Sequence, residues 1–160
     1  MINAYIALGS NQKSPKTQIT QAISALAQLP HCTIIKQSPC YESTPWGHVT
    51  QENFINAAVL VQTTLSATSL LEKLQAIENH QGRERNLFWG PRTIDLDLIL
   101  YGDHIIQMPR LEVPHPFALQ RDFVLRPLLD LTPNLVFPCG TAAFQALESI
   151  ENKSRSLIFK

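Results

Sequence analysis

Two acidic residues, one position apart, are the sharpest chemical signal in the chain: Thr93-Ile94-Asp95-Leu96-Asp97-Leu98-Ile99-Leu100. A strand sends alternate side chains to opposite faces. Read as a strand, this segment buries Ile94, Leu96, Leu98 and Leu100 on one face. Asp95 and Asp97 then share the other, about 7 Å apart. Asp is disfavoured in strands, and two carboxylates in one patch repel unless a cation neutralises them. Magnesium is usually held by one or two carboxylates together with substrate phosphates. The spacing therefore points to a magnesium site; the plain alternative is a solvated strand face.

The arginines point the same way. The seven lie at 83, 85, 92, 110, 121, 126 and 155, and no lysine falls among the six between 83 and 126. Arginine offers a rigid fork of donors suited to carboxylate and phosphate, which lysine does not. Gly82-Arg83-Glu84-Arg85 leads through Gly90-Pro91-Arg92 into the acidic strand. Phosphoryl transfer needs cations on the non-bridging oxygens and metal between phosphates, and the glycines would let such a loop close as a lid. Glu84 could equally pair with one of these arginines in a surface salt bridge.

His115 lies between Pro114 and Pro116, which constrain where its ring points. It is a candidate phosphate donor or general acid/base, or a structural residue; His31, His48, His80 and His104 have no such setting. Trp46 and Trp89 sit in loop sequence, as partial core cover or as stacking faces. Phe54 and Asn56 fall on one face of a strand. A ring beside an amide suits a flat heterocycle that stacks and is hydrogen-bonded at its edge, although Phe54 as ordinary core is the simpler reading.

These residues must be carried by regular elements. Asn3–Leu8 alternates as a buried strand ending at Gly9-Ser10-Asn11. Ser14-Pro15 then provides an N-cap and a proline at the first helical position. Ile19, Ala22, Ile23 and Leu26 recur at helical spacing before Pro30. Cys32–Lys36 reads as a strand continuing irregularly toward Tyr41, and Asn53–Thr63 as a clear strand. Ser66 caps a helix with Leu70, Leu71, Leu74 and Ile77 inward, and Gly82 is its stop. After the strand ending at Tyr101, the prolines at 109, 114 and 116 mark an irregular stretch. Asp122–Leu131 is expected to be a short helix with Pro127 tolerated only near its start. Thr141–Ser149 is expected to be a last helix. Strand, helix, strand, strand, helix, strand is the split βαβ order of a ferredoxin-like α+β domain, here an antiparallel sheet covered by helices with a C-terminal extension.

The 160 residues suit a single domain, 1–160, and the 44% hydrophobic content is too rich for disorder. Lys and Arg total 13 against 13 Asp and Glu, a balance that argues against bulk attraction to nucleic acid. No apolar run reaches the roughly 18 residues of a membrane span. Met1-Ile2-Asn3-Ala4-Tyr5 lacks a basic leader, and Cys32, Cys40 and Cys139 lack metal or disulfide spacing. A cytoplasmic setting without membrane association is expected.

Assembled, the chain resembles the 6-hydroxymethyl-7,8-dihydropterin pyrophosphokinases of the folate pathway. The match rests on Trp89-Gly90-Pro91-Arg92-Thr93-Ile94-Asp95-Leu96-Asp97-Leu98-Ile99. Tyr5-Ile6-Ala7-Leu8-Gly9-Ser10-Asn11, Phe54-Ile55-Asn56-Ala57-Ala58, Val113-Pro114-His115, Arg121-Asp122-Phe123-Val124-Leu125 and Pro127-Leu128 extend it, in order, from residue 1 to about 140. The resemblance implies transfer of the β,γ-pyrophosphoryl group of ATP to the hydroxymethyl oxygen of the pterin, with release of AMP. It implies two magnesium ions on Asp95 and Asp97, which with Arg83 and Arg92 form the catalytic set. Glu78, Arg83, Arg85, Trp89, Arg92, Leu98, His115 and Arg121 would surround ATP. Phe54 and Phe123 would sandwich the pterin, Asn56 would read its edge, and Thr44, Pro45, Trp46 and Asp95 would complete that pocket. A monomer acting on these two small molecules is expected.

The sequence departs from the family in three places. Phe88 stands where many members carry a basic residue, the loop from Gly82 to Trp89 is one residue shorter than in some relatives, and Pro116 replaces an aromatic found in some members. Two rivals stay open. A nucleotidyltransferase also pairs a Gly-Ser with acids, but there the two are usually a short helix apart, whereas Ser10 is far from Asp95. A ferredoxin-like small-molecule sensor explains the fold but not the aspartates and arginines.

Overall fold

The two longest apolar strands become the centre of the sheet. β1 (Ile2–Ser10) pairs antiparallel with β4 (Phe54–Thr63), from Ile2 opposite Thr63 to Ser10 opposite Ile55. The computed structural model describes residues 1–12, 14–43, 53–82 and 93–150 and the backbone of 157–158. Its other elements are α1 (Pro15–Ala27), β2 (Cys32–Gln37), β3 (Tyr41–Ser43), α2 (Ala67–His80), β5 (Asp95–Tyr101), β6 (Ile106–Met108), β7 (Leu111–Val113), α3 (Asp122–Leu131), α4 (Ala143–Ser149) and β8 (Leu157–Ile158). A 3₁₀ turn, Ala118–Gln120, precedes α3.

β5 lies outside β1, and β2 and β3 follow one another along the far edge of β4, all antiparallel. This is the α+β, ferredoxin-like arrangement expected from the element order. Ala4, Ile6 and Leu8 face the same side as Ile55, Ala57, Val59, Val61, Leu96 and Leu98, and pack against Ile19, Ala22, Leu26, Leu70, Leu74 and Ile77 of α1 and α2. The opposite side carries Tyr5, Ala7, Ala58, Leu60, Ile99 and Leu100 against Val124, Leu125, Leu128 and Leu131 of α3 and Ala143 of α4. Tyr5 Oη and Thr132 Oγ1 share a hydrogen bond of 2.6 Å, and Tyr41 Oη donates to Asp130, so α3 is tied to β1 and to β3. Among the described residues no helix is long and apolar enough to cross a membrane.

Several expectations are corrected. Leu100 does not share a face with Leu96 and Leu98: Tyr5 pairs with Leu100 but Ile6 with Leu98, so a bulge at Ile99 reverses the alternation. Ser14 adopts φ 60° and makes no side-chain cap, leaving Pro15 to start α1, whereas Ser66 Oγ does accept from Ser69 N at 3.2 Å. Gly82, at φ 81°, ends α2 in the left-handed conformation that glycine adopts at little cost. The irregular stretch contains a hairpin, β6–β7, turning at Pro109-Arg110. Pro127 lies in mid-helix, where α3 forgoes its N–H bond. β3 is a strand of its own, and β8 adds to it from the C-terminal tail.

Candidate active site

The sheet register brings the chemistry together. On the α3 side of the sheet, Asn56, Gly9 and Asp95 form one cross-strand row, and Ala58, Ala7 and Asp97 form the next. Two strand spacings, about 10 Å, thus separate the Asn56 amide from the Asp95 carboxylate in the first row. Gly9, Ala7 and Ala58 make the floor between them. A Cβ at Gly9 would meet Asn56 Oδ1 at 3.2 Å and Phe54 Cδ1 at 3.8 Å, so the absent side chain leaves room beside both. Asn56 is buried, and its Nδ2 donates to Ser43 Oγ at 2.6 Å, which holds the amide plane.

β5 is anchored by groups that the sequence reading did not connect. Ser10 Oγ, fully buried at the end of β1, donates to Thr93 O just ahead of the aspartates. Glu78, 4% exposed near the end of α2, accepts from Leu96 N at 2.7 Å. Leu96 N therefore points to the open edge of β5, and Leu98, two residues on, presents its backbone the same way. The Leu98 side chain is in the core under α1 and α2, so the ATP contact implied for Leu98 can only be made by its backbone. Glu78, implied at the nucleotide, is fixed to the strand between Asp95 and Asp97. Only its acidic character at the end of an apolar helix hinted at this.

The bulge at Ile99 also sets His115. Ile99 O accepts from His115 N at 3.0 Å, just after the cis Val113–Pro114 peptide. Phe117 N donates to His115 Nδ1 at 3.2 Å, which places the ring proton on Nε2. Burial first, then the Arg121 charge, pushes the imidazole down to about 4, against the opposing pull of Glu112 and Asp95. The ring is therefore a neutral N–H donor at pH 7. Of the roles open to it, hydrogen-bond donor fits, and cation does not.

Arg121 enters from the turn before α3. Its Cζ lies 5.1 Å from the Phe117 ring centroid and 5.8 Å from that of Phe123. Burial lowers its pKa below the usual arginine value, while Asp97 and then Asp95 favour its charged form. Guanidinium stays protonated under such a shift. The structure thus gathers Phe54, Asn56, Asp95, Asp97, His115, Arg121 and Phe123 with β5 and its anchors. Thr44, Pro45, Trp46, Arg83, Arg85, Trp89 and Arg92 lie outside the described residues.

Among the described residues there is no group of three or more His, Cys, Asp and Glu that could hold a metal by itself. The donor set is two carboxylates on one strand face. That suits a hard cation completing its octahedron with phosphate oxygens and water and is too sparse for a closed structural site.

Known proteins resemble this chain in sequence and in fold. Residues 5–133 match the model of the 7,8-dihydro-6-hydroxymethylpterin-pyrophosphokinase family. The chain is 47% identical over 136 residues to the 2-amino-4-hydroxy-6-hydroxymethyldihydropteridine pyrophosphokinase of Pseudomonas aeruginosa, covering 85% of this chain and 84% of that protein. The like-named protein of Haemophilus influenzae is 46% identical over 138 residues, 86% of each chain. Among solved structures, an HPPK-DHPS in complex with substrates superposes with a TM-score of 0.74 at 15% identity, over 93% of this chain and 45% of that one. The Plasmodium falciparum HPPK-DHPS with pteroate gives 0.73 at 16%, over 92% and 42%. This chain spans less than half of those two, and at such identity they speak for the fold alone.

Proposed function

The chain belongs to the 7,8-dihydro-6-hydroxymethylpterin-pyrophosphokinase family, and we propose that its site moves the β,γ-pyrophosphoryl group of ATP onto 6-hydroxymethyl-7,8-dihydropterin in folate biosynthesis. The pterin hydroxymethyl oxygen attacks the β-phosphorus. The bond from that phosphorus to the α,β-bridging oxygen breaks, AMP leaves with the oxygen, and the hydroxyl proton passes to solvent. The observation that carries this reading is the pair of cross-strand rows, which set the Asn56 amide at one end of a small-residue floor and two carboxylates at the other.

In this reading Asn56 hydrogen-bonds the pterin edge, Phe54 and Phe123 stack on its faces, and Thr44, Pro45 and Trp46 close the pocket. His115 donates from Nε2 to a phosphate oxygen, and Arg121 supplies fixed positive charge beside it. Arg83, Arg85, Trp89 and Arg92 serve the nucleotide, and Leu98 meets it through its backbone. Glu78 holds β5 at Leu96. Asp95 and Asp97 would hold two Mg²⁺ ions, which when bound neutralise phosphate charge. Among the described residues none is placed as a strong base, so positioning and electrostatics carry the acceleration. The protein acts as one domain over 1–160, as a monomer in the cytoplasm.

Incubation with ATP, Mg²⁺ and 6-hydroxymethyl-7,8-dihydropterin is expected to yield AMP and the pterin diphosphate. Formation of ADP, or of pyrophosphate with an adenylylated product, would overturn the reading.

A further inference from the structure

Phe117 has no place in the site as the family resemblance draws it, yet it touches two groups that do. We infer that Phe117 is a positioning residue for Arg121, its ring fixing where the guanidinium sits beside the Asp95 and Asp97 pair. The inference rests on the reading of Arg121 as a triphosphate residue.

The geometry is local and specific. Gln120 N bonds to Phe117 O at 3.0 Å in the 3₁₀ turn that brings Arg121 back over Phe117. At 5.1 Å from the centroid, Arg121 Cζ is within the ~6 Å over which a ring quadrupole attracts a cation. The Phe117 ring is set in turn by its own neighbours. Its centroid lies 6.2 Å from that of His115 at 58°, and its backbone N–H donates to His115 Nδ1. One residue thus joins the two described groups that would face phosphate.

The contact answers a problem posed by the site. A partly buried guanidinium has lost water, and Asp97 and Asp95 attract it. The Phe117 and Phe123 rings add a second constraint on its position. Phe117 is 41% exposed, so core packing does not account for an apolar side chain at this position. Phe117 follows Pro116 and is the aromatic residue on which this turn can lay the guanidinium.

The test is calorimetric titration of Mg²⁺ and α,β-methylene-ATP into the full chain and its variants. Phe117→Ala is expected to weaken binding by about three- to tenfold. Phe117→Tyr should bind as the parent does, and Phe117→Leu, apolar but without a π face, should lose most of what alanine loses. In an Arg121→Ala background, Phe117→Ala should add nothing, because its effect acts through the missing guanidinium. Binding of Phe117→Ala within twofold of the parent, full rescue by leucine, or an equal loss in both backgrounds would each overturn the inference alone. Unchanged binding by Arg121→Ala would instead remove the underlying reading of Arg121, and this inference with it.

Discussion

The half-buried, neutral His115 makes a prediction that can be worked through in numbers. In an unfolded chain its imidazole takes up a proton near pH 6.5. In the folded protein burial and the Arg121 charge delay that to about 4. Between those values the unfolded state binds more protons, so stability falls as pH falls. The contribution is complete above about pH 6.5 and gone below about pH 4. The displacement of about 2.5 pH units corresponds to about 3 kcal/mol. Replacing the ring by Asn keeps an oxygen able to accept from Phe117 N and removes the titration. Urea unfolding of the parent and of His115→Asn, at steps from pH 7.5 to 4, isolates the histidine by difference, since the carboxylates titrate in both. The parent's advantage should shrink by about 3 kcal/mol over that range. Parallel stability curves, or a parent that gains on acidification, would refute the account of a neutral N–H donor. An NMR titration of the ring would report the same displacement directly.

Two further outcomes test the site. Asp97→Ala should keep its circular dichroism spectrum while turnover drops by at least about a hundredfold, with the residual rate requiring more Mg²⁺; near-normal turnover would remove the metal assignment. Gly9→Ala places a Cβ 3.2 Å from Asn56 Oδ1, so pterin affinity should fall by about tenfold while that for α,β-methylene-ATP holds. Equal losses for both ligands would mean that the row is not the pterin floor.

Much of this protein is legible in one dimension. The period-2 runs at β1, β4 and β5 declare strands, the 3.6-residue spacing of Leu70, Leu74 and Ile77 declares α2, and an Asp-Leu-Asp strand near arginines declares phosphate chemistry. These signals are local: each depends on which side of one element a residue takes, and backbone geometry alone sets that. The hairpin β6–β7 escaped because three-residue strands between prolines offer no period to read. Leu100 leaves the face of Leu96 and Leu98 because a bulge is a property of a strand pair, which one strand's alternation does not record.

What decides the site is contact between segments far apart in the chain. The rows Asn56–Gly9–Asp95 and Ala58–Ala7–Asp97 exist only in the register of three strands, where a slip of one residue would turn every side chain to the other face. Glu78 meets Leu96 N, Ser10 meets Thr93, and Ile99 O meets His115 N through pairings that no local pattern contains. Side-chain chemistry and local periodicity are enough to say which residues are chemically suited and which elements carry them. The tertiary structure alone determined their distances, the neutral state of His115 and the ring beside Arg121, because burial, register and charge proximity depend on the whole packed fold.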